Sequence, residues 1–247
     1  MSTAPRDQDG TSSRRRWLAR IASAAWALSP RHPAFAAATV TQWHAVSGFD
    51  EVRWRATGEL RIEQTTREQL SVDAEPAVLS KLVIEVRQRR LWIGFAPGRV
   101  ETRQPIRFRL ELKALAALDA NGSGDIRIGP LTGAGLSLVL AGSDELQLAR
   151  LSARTLDVRL TGSGSATIAG GEVEAQRIEL AGSGDYLAPR LASRRAEITS
   201  EGSGDAQVAV SGRLTARLSG SGSVDYRGDA EVSSTVVGSG SVRHLAR

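Results

Sequence analysis

From Gly122 to the C-terminus, glycine, serine and acidic residues recur in a pattern that three kinds of chemistry can use. The kernel Gly-Ser-Gly occurs at Gly122–Gly124, Gly162–Gly164, Gly182–Gly184, Gly202–Gly204, Gly220–Gly222 and Gly238–Gly240, and Gly142 opens the variant Gly-Ser-Asp. Third after each first glycine stand Asp125, Glu145, Ser165, Asp185, Asp205, Ser223 and Ser241. Glycine loops cradle phosphate, carboxylate clusters hold calcium, and a serine beside a base becomes a nucleophile.

Phosphate binding needs the loop to open a helix, so that N–H groups and the dipole face the anion. No glycine follows three residues after any Gly-Ser-Gly, no Gly-Lys-Ser/Thr occurs, and the residues after each kernel alternate as a strand does. For calcium, Asp185 and Asp205 are the nearest to a ligand pair. Two like charges about 4.8 Å apart in water repel by only about 0.9 kcal/mol, which solvent absorbs without a metal. Calcium also takes more oxygens than this row supplies, and calcium-binding rolls repeat every nine residues with paired glycines. A solvated Asp that closes a turn by accepting backbone N–H bonds is the simpler reading.

A nucleophile among Ser123, Ser143, Ser163, Ser183, Ser203, Ser221 and Ser239 would need a base. Beyond residue 36 the only histidines are His44 and His244, at opposite ends of the chain, and no Gly-x-Ser-x-Gly elbow occurs. The expectation is a serine ladder hydrogen-bonding along a stack. Carboxylate pairs acting on sugars are the remaining enzymatic route. Such enzymes need loop-built grooves and aromatic platforms, whereas these repeats are nearly free of insertions and carry only Tyr186 and Tyr226. Trp43, Trp54 and Trp92 lie in N-terminal strand-like segments, where a core or capping role is the reading adopted. With no cysteine in the chain, thiol catalysis, thiolate metal sites, disulfides and a lipobox anchor are excluded. No catalytic residue, metal or cofactor is expected.

The elements that carry the kernels follow from their spacing, which is 20, 20, 20, 20, 18 and 18 residues. Two residues before the kernel stand Leu140, Leu160, Leu180, Leu218 and Val236, with Ser200 as the exception; four after its first glycine stand Ile126, Leu146, Ala166, Tyr186, Ala206, Val224 and Val242. Apolar residues alternate with polar ones, which is strand period. A 20-residue unit cannot bury its own inner face, but stacked units can, so each repeat reads as one coil of a solenoid: strand, Gly-Ser-Gly corner, strand, looser turn. Flexible linkers lack such columns.

Upstream, "EVRWRATGELRIEQ", "LVIEVRQRRLWIGF" and "IRFRLEL" alternate in the same way, with Val52, Trp54, Leu60, Ile62, Ile106, Phe108 and Leu110 inward. The expected organisation is an export signal over residues 1–36, a short linker over 37–45, a strand-rich portion over 46–112 covering one end of the stack, and the repeat solenoid over 113–247. Ser13-Arg14-Arg15-Arg16-Trp17-Leu18 has the twin-arginine pattern, Leu18 to Ser29 is modestly apolar, and Ala34-Phe35-Ala36 offers a peptidase site. The apolar stretch is shorter than the roughly 20 residues of a membrane span. The formal charge of +5 comes mostly from this segment: its removal takes six arginines and two aspartates, leaving about +1. A nucleic-acid partner is therefore not expected.

The "GSGD" and "GSGS" kernels, together with "VSGFDEVRWRATGELRIEQ", "LSVDAEPAVLSKLVIEVRQRRLWIGF" and "IRFRLELKALAALDANGSGDI", resemble the GIN-domain family of auto-transporter adhesin heads, from about Val46 to Val242. The resemblance implies a right-handed β-helix-like solenoid, export to the periplasm or surface of a bacterium, and no established enzymatic activity. It supplies no catalytic residues. The expected function is a non-catalytic, adhesin-like envelope module whose partner is an envelope protein or glycan, with self-association open. The alternatives are a carbohydrate-active lyase or hydrolase and a purely structural envelope subunit.

Overall fold

The computed structural model describes residues 38–246, so the signal residues Arg14, Arg15, Ala34 and Ala36 lie outside it. The described chain is a β-solenoid. Its N-terminal portion contains β1 (Val40–His44), β2 (Glu51–Arg55), β3 (Glu59–Gln64), β4 (Gln69–Ala74), the single-turn α1 (Pro76–Leu79), β5 (Leu82–Arg87), β6 (Arg90–Phe95) and β7 (Arg107–Leu112). The repeats supply β8 (Ala117–Ala120), β9 (Asp125–Thr132), β10 (Gly135–Leu140), β11 (Glu145–Gly162), β12 (Ser165–Ile168), β13 (Gly171–Gly182), β14 (Tyr186–Gly202), β15 (Ala206–Gly220), β16 (Val224–Arg227), β17 (Glu231–Gly238) and β18 (Val242–His244).

Two parallel ladders run the length of the stack. Face A joins β2, β8, β10, the second halves of β11, β14 and β15, with β13 between, and β17. Face B joins β3, β9, the first halves of β11, β14 and β15, with β12 between, then β16 and β18. Alternation decides which residues enter the core: in β11, Leu146, Leu148, Leu156, Val158 and Leu160 are buried, while Glu145, Gln147, Asp157 and Arg159 face water. At about 25 cal/mol per Å² of apolar surface removed from water, these inward columns are the main favourable term holding the coils together.

The N-terminal portion does more than cover an end. β6 and β7 form a coil of their own, yet β2 and β3 lie between it and the repeats, pairing with β6 and β7 on one side and with β8 and β9 on the other. The first coil in sequence is thus the second in space. The chain steps over it after β7, where the Ala116 N–H donates to the Asp50 carbonyl at 2.6 Å and the Thr65 N–H to that of Leu112 at 2.7 Å. Trp54 and Phe108 seal this region, edge to face with centroids 4.9 Å apart. Beyond β6 and β7 the pairing becomes antiparallel. β5 closes on β6 through Gln88 and Arg89, both at positive φ (50° and 64°), the backbone that a two-residue hairpin requires. β4 pairs with β7, and β1 with β4. Residues 40–44, assigned from sequence to a linker, are therefore a strand whose partner, 30 residues on, no local pattern reveals.

The shortening from 20 to 18 residues has a visible place. Where β14 meets β15 the register breaks between Ala188 and Ala192 and again between Ser193 and Arg195, so that Ala188 faces Val208 while Arg195 faces Arg213. The coil narrows there without disturbing either face beyond the break.

Candidate binding faces and the Gly-Ser-Gly corners

The kernels make the corner between the two faces. From Ser143 onward each stacks backbone on backbone: the serine N–H donates to the first-glycine carbonyl of the preceding coil, at 3.0 Å from Ser143 to Gly122 and 2.9 Å from Ser183 to Gly162 and from Ser203 to Gly182. The first glycines from Gly162 onward sit at φ between 126° and 147°, which side chains avoid. The second glycines have another reason. A Cβ on Gly124, Gly164, Gly184, Gly204, Gly222 or Gly240 would overlap the carbonyl oxygen one coil below. Following the columns backward shows a corner that the repeat spacing missed: Gly122 stacks on Ala56 and Gly124 on Gly58. "ATG" is a degenerate kernel, hidden because the strands from β4 to β7 intervene.

The kernel serines are exposed, and their N–H groups, not their hydroxyls, join the coils. The side-chain ladder lies two residues later. The Asp205 N–H donates to Asp185 Oδ1 at 2.8 Å, that of Ser223 to Asp205 Oδ1 at 2.7 Å, and the Ser241 hydroxyl lies 3.3 Å from that of Ser223. Asp185 and Asp205 thus each carry a backbone bond at the turn. Among the described residues no group of three or more His, Asp or Glu side chains could hold a metal ion.

Asp144, which breaks the kernel sequence, is fully buried, and its carboxylate accepts the N–H groups of Gly122 at 2.7 Å and Gly124 at 2.8 Å. It caps two donors of the preceding corner, as a carboxylate does in a backbone nest. Asp144→Asn turns an amide NH2 toward at least one of those donors and is expected to cost about 1–3 kcal/mol in urea unfolding. Unchanged stability would show that the cap carries no weight.

Face A is a mosaic of arginines and carboxylates. Asp157, Arg177 and Glu197 succeed one another along one column, Arg159, Glu179, Thr199 and Arg217 along the next. Arg159 and Arg177 converge on Glu179 at 2.7 and 3.3 Å; Arg217 pairs with Glu197 at 3.2 Å, Arg195 with Glu174 at 2.8 Å and Arg213 with Glu231 at 3.1 Å. The hydrogen bond from Arg159 holds the Glu179 carboxyl below its ordinary range. Such exposed pairs contribute at most about 1 kcal/mol each. Between them runs a shallow groove of about 380 Å³, lined by Thr155, Arg177, Arg195, Arg213, Thr215 and Arg217 among others. Each guanidinium has five N–H donors, more than the one or two its carboxylate occupies.

Face B is less continuous. Arg61, Arg107 and Arg127 surround Glu59 near the N-terminal end, at 3.1, 3.8 and 2.8 Å. Toward the middle Thr167 and Leu187 interrupt the charges. The two histidines of the described residues are far apart along the stack, His44 on β1 and His244 on β18.

The family model described as "Putative auto-transporter adhesin, head GIN domain" matches residues 48–230. The chain belongs to the GIN-domain family. Solved structures share the GIN-domain fold along nearly the whole described chain. A "putative adhesin" from Bacteroides fragilis NCTC 9343 has 20% identity and a TM-score of 0.80, covering 84% of this chain and 97% of that one. One from Parabacteroides merdae ATCC 43184 has 20% identity and a TM-score of 0.67, covering 85% and 97%. A "Putative lipid binding protein" from Parabacteroides distasonis ATCC 8503 has 25% identity and a TM-score of 0.70, with the same coverage. No curated protein matches. This GIN domain is therefore an adhesin-like β-solenoid, and among its described residues no helix is long and apolar enough to cross a membrane.

Proposed function

We propose that the chain is an exported, non-catalytic adhesin-like module that holds an extended glycan of the bacterial envelope or surface along face A. The observation that carries this reading is the groove across four successive coils, where Arg177, Arg195, Arg213 and Arg217 recur beside Thr155 and Thr215. Parallel coils repeat donors about every 4.8 Å, a spacing suited to a polymer with hydroxyl or carboxylate groups along its length. The family's adhesin description and the twin-arginine segment support export and binding.

A glycosidase-like general acid needs a carboxyl pushed above its usual range. The carboxyls here with a clear shift (Asp50, Glu59, Glu68 and Glu179) move the other way: Asp50, Glu68 and Glu179 are each held down first by a hydrogen bond from Arg89, Lys113 and Arg159 respectively, and Glu59, whose desolvation pulls upward, is held down by Arg61 and Arg127. Lipid binding, named for one structural relative, is not carried over, because the interior is filled by inward columns of Leu, Ile, Val and Ala.

The test is retention of the chain on immobilised envelope polysaccharides. The wild type is expected to bind, the face A double variant Arg195→Glu/Arg213→Glu to lose at least about ten-fold in affinity, which is 1.4 kcal/mol, and Arg61→Glu on face B to bind as the wild type does. Equal loss in both variants would overturn the assignment to face A. Release of unsaturated or reducing sugar ends would make the chain an enzyme, and no retention on any polysaccharide would favour a structural subunit.

A further inference from the structure

The two ends of the solenoid are built differently but are marked in the same way. Among the described residues the exposed large hydrophobics are Val40, Trp43, Val83, Trp92, Val232, Val236 and Val237. Trp92 is covered by the Arg53 guanidinium, 4.4 Å above its ring. The other six all lie on the outermost strands: Val40 and Trp43 on β1, Val83 on β5, and the three valines on β17. Among the described residues these strands pair on one side only, β1 with β4, β5 with β6, β17 with β15 and β18 with β16. Each end therefore presents a free row of backbone N–H and C=O groups, the template that strand addition uses. Charge that could blunt the C-terminal edge is sparse on these strands: Arg243 on β18 pairs with Asp225 at 2.8 Å, and β17 has only Glu231.

We propose that the C-terminal end of one copy docks on the N-terminal end of another, continuing both ladders: β17 against β5 of the next copy, and β18 against its β1. Strand direction permits this. β5 runs opposite to every face A strand of the coils, so it would meet β17 as an antiparallel pair; β1, reversed twice through β4 and β7, runs with β18.

The columns match as well. Through the paired registers, Arg243 stands in one column with Asp225, Gln207, Leu187, Thr167, Gln147, Arg127, Arg61, Arg109, Ser71 and finally Trp43. Stacking places Arg243 beside the next copy's Trp43, a repeat of the contact that Arg53 and Trp92 already make on neighbouring strands. On face A, Thr235 shares a column with Glu85, which sets Val237 opposite Val83 and Ser233 opposite Arg87, with Glu231 on the next diagonal. Apolar meets apolar, and the unlike charges lie near each other. Between β1 and β5 the N-terminal end also opens a groove of about 410 Å³, lined by Trp43, His44, Ser47, Ile84, Glu85 and Val86 among others. At the other end the inward-facing Val232 and Val236 of β17 are 36% and 39% exposed, although the same columns are buried in earlier coils. A head-to-tail contact covers both sets, whereas a tail-to-tail contact leaves the N-terminal groove and Trp43 open. Because the contact is heterologous, it builds an open row rather than a closed dimer. It leaves face A accessible and does not rest on the glycan reading.

Sedimentation velocity of the full chain across micromolar to millimolar concentrations tests this, with Trp43→Lys at one end and Val237→Lys at the other. Both side chains are about two-thirds exposed (65% and 66%), and unchanged thermal unfolding monitors the fold. The wild type is expected to grow beyond a dimer with concentration, each variant alone to stay monomeric, and an equimolar mixture to stop at a heterodimer, because each variant keeps the end that the other has lost. A monomeric wild type over the whole range overturns the proposal. So does a Trp43→Lys variant that still dimerises (tail-to-tail contact), or a Val237→Lys variant that does (head-to-head contact).

Discussion

Gly184→Ala is expected to lower the unfolding free energy by at least about 3 kcal/mol, while Gly133→Ala changes it by less than about 1 kcal/mol in either direction. Both replacements add one methyl group to a glycine outside the left-handed region, so backbone conformation does not separate them. Surroundings do. The new Cβ at 184 would overlap the Gly164 carbonyl oxygen, an atom fixed by the stack, whereas at 133 the nearest heavy atom is 4.0 Å away. Overpacking is tolerated when a flexible side chain can move aside; here the obstacle is backbone, and shifting it pries one corner off the next. Because stability in a solenoid is close to a sum over neighbouring interfaces, one damaged corner weakens two. A loss of 3 kcal/mol is a large part of the 5–15 kcal/mol typical of a domain. Urea unfolding followed by far-ultraviolet circular dichroism measures both variants, and equal midpoints would refute the steric account of the kernel.

Replacing Tyr186 is expected to be nearly as damaging, in two separable parts. Its ring occupies an inward column between Ala166 and Ala206, both with essentially no exposure. Neither alanine can fill the space left by Tyr186→Ala, so the cost should be about 3–5 kcal/mol. The hydroxyl crosses the core and donates to Gln176 Oε1 at 2.9 Å; Gln176 Nε2 donates to Ser193 Oγ at 2.8 Å, and that hydroxyl to the Ala209 carbonyl at 2.8 Å. Burial pushes the Tyr186 phenol far above its ordinary range, so it remains a donor. Tyr186→Phe strands the Gln176 oxygen in the core at a cost of about 1–3 kcal/mol. The relay ends at Ser193 and Ala209, where the register breaks and the coil loses two residues. The buried polar chain therefore pins the one irregular place in the stack. Equilibrium unfolding of both variants tests this, and a Phe variant as stable as the wild type would show that the relay is dispensable.

These residues also mark how far the sequence could be read. Tyr186 was legible as a member of an inward column, but its partners were not, since Gln176 and Ser193 belong to different coils and resemble surface residues in their local patterns. Asp144 looked like a decayed kernel and is a buried cap. The kernel serines looked like a hydroxyl ladder, yet the ladder is made by the residues two positions later, because the corner turns the serine side chains outward.

By itself the sequence determined the coil. Period-2 alternation, a constant 18–20-residue spacing and small residues at every corner admit one kind of structure, in which identical units bury their inner faces on each other. Tertiary structure decided whatever depends on contacts between distant coils. It interleaved β2 and β3 between β6–β7 and the repeats, paired β1 with β4, gathered four arginines along face A, and left the valines of β17 exposed at one end with Trp43 and Val83 exposed at the other. The physical reason is the same in each case. A local pattern specifies which way a side chain points, but its neighbour across a 4.8 Å ladder step is set by register, and register is a property of the assembled stack.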